Sequence, residues 1–203
     1  TMLSRMGGQV LTAQSLGADR KEEAVRYASA ALQMGVVLGL LYGIVSILFH
    51  VPLIAFFRLN SPEVIQNAEW YLIITCGAIV FNFINQILTG LLTAMGNSII
   101  TFWSTTTGLL INLVLDPLLI FGPGPLPVLG VKGAAIATVF AQIIVFVIYI
   151  MRIRKDPVIF SKVKILRRPD VRYIKDILLI GLPAAVQNIF FTAISMIIAR
   201  LIA

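Results

Sequence analysis

From Trp70 to Leu115 the chain runs 46 residues without a single Asp, Glu, Lys or Arg. One helix of that length would stretch roughly 70 Å, more than twice the thickness of a bilayer's hydrocarbon core. The stretch must therefore hold two apolar helices and a turn, and Gly96-Asn97-Ser98 supplies the turn. The rest of the chain agrees: 59% of its 203 residues are hydrophobic, 12% are charged and mean hydropathy is +0.96. Ordinary soluble domains carry about 25% charged residues, so this chain cannot dress a water-facing surface. It reads as an all-α, polytopic transmembrane helix bundle in the cell membrane, and its net charge of +7 reflects topology rather than nucleic-acid binding. The lone Cys76, set in an apolar run, leaves no internal disulfide framework.

Residues 1–15 read as the tail of a partial span, and the apolar C-terminal end reads as a second cut through a longer chain. Asp19 is placed to cap the next helix, with Glu22 and Glu23 in its first turn. Complete spans are predicted at about 24–57, 63–94, 99–121 and 133–151, with Pro52 closing the first and Pro62 opening the second. Gly122-Pro123-Gly124-Pro125-Leu126-Pro127 is a loop that cannot be helical. A basic linker, 152–175, precedes a last truncated helix, 176–203.

Counting Lys and Arg orients these spans. The linker together with Arg20, Lys21 and Arg26 holds twelve; the opposite loops hold only Arg58 and Lys132. The positive-inside bias makes the linker cytoplasmic and the Gly-Pro loop external. Trp70, Tyr71, Trp103 and Tyr149 fit interfacial belts, His50 and Arg200 belong near the outer interface, and Gly35, Gly39 and Gly43 form a small-residue packing face.

Asp116 is the one acid well inside a complete span. A carboxylate there costs about 2.5–3.5 kcal/mol to insert, so it should face protein or a water-filled cavity. Asn112, four residues earlier, shares its helix face. Pro117 cannot donate to the Leu113 carbonyl and frees an oxygen within about a turn of both. Carboxylate, amide oxygen and free carbonyl are hard ligands suited to H⁺ or a small cation such as Na⁺. The competing reading is that Asp116, three quarters of the way along its helix, snorkels or caps.

Asn82, Asn85, Gln86, Thr89 and Thr93 recur at helical spacing, Thr138 and Gln142 lie four apart, and Gln187 leads a polar cluster with Asn188, Thr192 and Ser195. Asn82, Asn85, Gln86, Thr89, Gln142 and Gln187 are candidates to line a substrate cavity; interhelical hydrogen bonds are the alternative use of the same groups. Pro183, after Gly181, should kink the last helix as Pro117 kinks its own. The complete spans hold no interior Lys or Arg, which suits cationic substrates. With one His, one Cys, no phosphate loop and no metal-spaced cluster, neither an enzyme nor a resident cofactor is expected.

Two stretches then carry a resemblance: Asn112-Leu-Val-Leu-Asp116-Pro117-Leu-Leu-Ile-Phe-Gly122 and Gly130-Val-Lys-Gly-Ala-Ala-Ile-Ala-Thr138. Gln14-Ser-Leu-Gly-Ala-Asp-Arg20, Gly90-Leu-Leu-Thr-Ala-Met-Gly-Asn97 and Gly181-Leu-Pro183 follow the same pattern in order. In these the chain resembles the multidrug and toxic compound extrusion (MATE) family. The resemblance implies a twelve-helix protein in two six-helix lobes, of which this chain would supply late helix two to helix seven. Residues 1–151 would be most of the N-lobe, 152–175 the inter-lobe linker and 176–203 the first C-lobe helix. It further implies export of cationic or amphipathic compounds by antiport with H⁺ or Na⁺, by an intact protein acting as a monomer. In the DinF-like branch an Asn and an Asp four apart, with a Thr on the next helix, form a cation site; Asn112, Asp116 and Thr138 occupy those positions. The NorM-like branch places a Glu about where Phe191 stands, so the resemblance favours the DinF-like scheme. A lipid-linked oligosaccharide flippase of the same superfamily, or a membrane scaffold without transport, are the competing functions.

Overall fold

The computed structural model describes residues 1–57, 61–122, 128–155 and 170–202, the side chains of Lys155, Leu201 and Ile202 excepted. Arg58, the loop 123–127 and the linker's Lys162, Lys164, Arg167 and Arg168 lie outside the described residues. Eight helices make up the described chain: α1 Met2–Gly17, α2 Lys21–Leu48, α3 His50–Ala55, α4 Pro62–Gly77, α5 Ile79–Ala94, α6 Ser98–Phe121, α7 Val131–Lys155 and α8 Val171–Ile202. Helices α2, α6, α7 and α8 are long and apolar enough to cross a bilayer, and α4 with α5 makes a fifth span bent by 51°. The molecule is a polytopic membrane helix bundle.

Several helix ends differ from the sequence expectation, each for a local reason. Asp19 does not cap α2; it takes a left-handed φ of 57° just past the end of α1. There the Arg20 N–H bonds to Ser15 O and the Asp19 N–H to Leu16 O, closing the carbonyls that α1 leaves open. The same pair of bonds recurs at the end of α5, from Asn97 to Leu92 and from Gly96 to Thr93, with Gly96 at φ 81°. The expected span 24–57 breaks at Phe49 because Pro52, inside α3, has no N–H for the Leu48 carbonyl and its ring crowds that oxygen.

The expected span 63–94 breaks at Ala78. Gly43 of α2 lies against this break: a Cβ on it would sit 2.8 Å from the Cys76 carbonyl oxygen. The Gly35, Gly39 and Gly43 face thus packs α2 onto the bent α4–α5 pair, against Ile87, Val80 and Phe83. Helix α7 continues through Arg152 and Arg154, and α8 begins five residues earlier than expected. Asp170 accepts the Arg172 N–H at 3.2 Å and so starts α8 ahead of Asp176.

Ala28, Ala31, Leu32, Ile87, Leu88, Leu91, Tyr149 and Ile177 form the centre of the core, where α2, α5, α7 and α8 meet. Helix α8 is further tied to α2 by Tyr27, whose hydroxyl donates to Asp176 Oδ2 at 3.0 Å and whose ring meets Tyr173 edge-on at 4.8 Å. Trp70, Tyr71 and Trp103 are exposed, whereas Tyr149 is fully buried and is no belt residue. His50 bonds its own Ile47 carbonyl at 2.7 Å, and Arg200 stacks over Phe56 at 4.6 Å.

Candidate functional site

Helices α6 and α7 form a tight hairpin that sets the register of Asp116. Gly122, at φ 57°, ends α6. The returning chain then donates Leu129 N–H to Leu119 O at 3.1 Å and Gly130 N–H to Ile120 O at 3.2 Å. Gly133 lets α7 lie directly on the Leu119 carbonyl, where any Cβ would collide. This register puts Thr138 across from Asn112.

Asn112 Nδ2 donates to Asp116 Oδ1 at 3.3 Å along its own helix and to Thr138 Oγ1 at 3.4 Å across the hairpin. The Thr138 hydroxyl donates to the Ala134 carbonyl at 2.9 Å. The three side chains are half-buried, while their α6 neighbours Leu113 and Val114 are more than half exposed, so the polar groups face α7. Both contacts of the Asn112 amide are long for N–H···O bonds, and its oxygen is turned from them. A half-turn of the amide exchanges donor for acceptor and presents oxygen from all three residues. Pro117 lies one residue on, inside α6, and leaves the Leu113 carbonyl without its helical donor.

The six expected cavity residues fall into different settings. Asn85 is buried and donates to the Gln142 backbone carbonyl at 2.8 Å, leaving its own Oδ1 without a partner. Gln86 accepts from Arg5 Nη1 at 2.8 Å, and Thr89 meets the Tyr149 hydroxyl at 2.8 Å. Asn82 and Gln142 are half-buried, and Gln187 is exposed on α8, as is Phe191. Asn85, Gln86 and Thr89 thus make bonds between helices. Pro183 lies inside α8, which is helical on either side of it.

The Arg5 and Tyr149 contacts were not foreseen. Arg5 sits in the first, partial span, outside the complete spans whose interiors lack cations. Tyr149 recurs at helical spacing with Ala141 and Val145, which are buried, and that periodicity is the signal that it points inward. Tyr149→Phe keeps the packing and removes the bond to Thr89. Its expected cost is about 0.6 kcal/mol, the average for an interhelical bond in a membrane protein, read as a small fall in thermal stability in detergent.

A family model described as MatE matches residues 1–118, more than half of the chain. The chain belongs to the MatE family. A MatE relative, the probable multidrug resistance protein NorM of Bacillus thuringiensis, is 31% identical over 186 residues, covering 91% of this chain and 41% of that protein. A solved outward-facing multidrug resistance MATE family transporter of the MOP superfamily shares 25% identity at a TM-score of 0.78, over 91% of this chain and 40% of its own. An inward-facing one, at 24% identity, a TM-score of 0.80 and 90% and 40% coverage, shares the fold. The chain therefore spans about two fifths of the length of these MatE proteins, as a partial N-lobe does. MatE proteins are multi-pass membrane transporters, and the two solved structures are of an inward-facing and an outward-facing conformation.

Proposed function

We propose that the full-length protein carrying this chain is a secondary active exporter of cationic or amphipathic small molecules, driven by antiport with H⁺ or Na⁺. The observation that carries this reading is the Asn112 amide bridging Asp116 and Thr138 across the α6–α7 hairpin, beside a proline-freed carbonyl. Residues 1–151 act as most of the N-lobe, the basic segment 152–175 as the cytoplasmic inter-lobe connection, and residues 176–203 as the first C-lobe helix. The relatives' NorM names do not enter the coupling scheme, which rests on Asn112, Asp116 and Thr138, the residues that resemble the DinF-like pattern.

In this scheme Asp116 alternates between a loaded and a free state. Unloaded, its carboxylate accepts from Asn112 Nδ2. On loading, the amide turns: Asn112 Oδ1 accepts a hydrogen bond from the O–H of a neutral Asp116, or joins Asp116 and Thr138 oxygens around a cation. Either event cancels the charge at Asp116 and removes the desolvation cost of pressing α6 against α7. The end of α6, loosened at Pro117, then repacks and closes the N-lobe cavity, expelling substrate outward. Drug and ion compete because one element answers to both.

The test is transport of the fluorescent cation rhodamine 123 by inverted vesicles containing the full-length protein, under an imposed H⁺ or Na⁺ gradient. Uptake that follows one gradient and stops when an ionophore collapses it is the expected result. No gradient-dependent movement with either ion would overturn the antiport reading.

A further inference from the structure

Both the α2–α3 and the α4–α5 spans are broken, and a cavity of about 550 Å³ opens between α3, α4 and the start of α7. It lies at the end of the bundle away from the basic segments, the outer end by the positive-inside bias. It follows α4 from Val64 to Thr75, eleven residues or roughly 16 Å of helix. Ile54, Phe57, Leu72 and Val131 wall it with hydrocarbon. Thr75 spends its hydroxyl on the Tyr71 and Leu72 carbonyls of its own helix, at 2.7 and 3.3 Å, and so adds only its methyl. The cavity therefore asks for an aliphatic occupant, and a void there would forfeit contacts along its whole lining.

Two charges flank it. Lys132, next to Val131, holds its ammonium 4.4 Å from the centroid of the Trp70 ring, beside Tyr71. The ring covers one side of that ammonium and leaves N–H donors for a second partner. Glu63, in the first turn of α4, stands four residues before the cavity residue Asn67 and seven before Trp70, so the three share one helix face. We propose that the cavity takes an acyl chain of a zwitterionic phospholipid of the outer leaflet, with its phosphate on Lys132 and its ammonium on Glu63. Lipid tails are as apolar as leucine, so the cavity alone selects nothing and the headgroup must. A cation and an acid beside one cavity match a headgroup that carries both charges; phosphatidylglycerol would bring only its negative charge towards Glu63. Phosphatidylethanolamine is the favoured form, because its primary ammonium donates charge-assisted hydrogen bonds to a carboxylate. The inference is independent of the export reading, and its readout is binding, not transport.

The test places the full-length protein in phosphatidylglycerol nanodiscs with a trace of lipid carrying a photoreactive diazirine in its acyl chain. Three probes are compared: phosphatidylethanolamine, phosphatidylglycerol and diacylglycerol, which lacks the phosphate. After irradiation, peptide mass spectrometry maps the labelled residues. The phosphatidylethanolamine probe is expected to label the α3–α4 stretch around Ile54, Leu72 and Thr75 about fivefold more than either other probe. Lys132→Gln is expected to lower that labelling about fivefold, the worth of one basic residue against a phosphate at a membrane surface. Glu63→Gln is expected to reduce the preference over phosphatidylglycerol to less than twofold. Ala68→Phe, which fills the cavity, is expected to remove labelling by all three.

Absence of labelling at these residues would mean that another part of the full-length protein fills the cavity, and would overturn the inference. Equal labelling by the three probes, or labelling that Lys132→Gln leaves unchanged, would reduce the cavity to an apolar groove without headgroup recognition and overturn it too. If Ala68→Phe does not assemble, Lys132→Gln and Glu63→Gln carry the test, since both change only charge at the membrane surface.

Discussion

Asp116→Asn is expected to cut gradient-driven export sharply while leaving the protein folded and in the membrane. Asn is nearly isosteric with Asp and keeps an Oδ1 to accept from Asn112 Nδ2, so the α6–α7 hairpin retains its contact. What disappears is the change of charge: the site can neither take up a proton nor pair with a cation, and α6 loses the switch that biases it. Coupling between two sites is typically about 1–3 kcal/mol, or roughly 5–150-fold, and the expected loss of gradient-driven rhodamine 123 transport lies in that range. Binding of the dye itself should survive, because Asp116 acts through the state of α6. The comparison is made in inverted vesicles at matched protein levels. A variant that still couples at the wild-type rate would make Asp116 a structural residue and move coupling outside these residues.

Gly181→Leu is expected to have the largest effect on assembly. Gly181 of α8 lies against the Leu3 backbone, and four residues earlier Ile177 lies against Gly7 of α1. Each helix thus presents a glycine to a large residue of the other, in a reciprocal pair one turn apart. The obstruction to a side chain at 181 is the main-chain carbonyl of Leu3, which no rotamer change can move aside. Overpacking a close-packed site costs about 1–3 kcal/mol, and at a backbone contact between helices the cost should sit at the upper end. The expected readout is a lower melting temperature in detergent and faster proteolysis between α7 and α8. Gly77→Ala is the control, since nothing lies within 4 Å of a Cβ there. Equal melting of Gly181→Leu and the parent protein would mean that α8 does not pack on α1 in the full-length protein.

The same contrast explains what could be read from the residues. Asp116 and Asn112 were legible because a spacing of four fixes two side chains on one face of any helix, whatever surrounds it. That Asn112 would reach Thr138 came through family resemblance, since no periodicity within one helix specifies the register of its neighbour. The bond from Arg5 to Gln86 was not legible, because 81 residues separate the two in the chain. The stripe from Asn82 to Thr93 had two physical uses, cavity lining and interhelical bonding, and only the packing of α1 and α7 onto α5 shows that Asn85, Gln86 and Thr89 make bonds between helices.

By itself the sequence determined that this chain lives in a membrane, where its helices lie and where its one interior carboxylate sits. Those features follow from hydrophobic length and from the 3.6-residue period, which are local properties of the chain. Only the tertiary structure decided that the second complete span bends at Ala78, that α8 closes on α1 through paired glycines, and which polar groups meet. Those outcomes depend on which helix faces approach closely enough to exclude a Cβ or share a proton, and that is set by the stacking of helices distant in the chain.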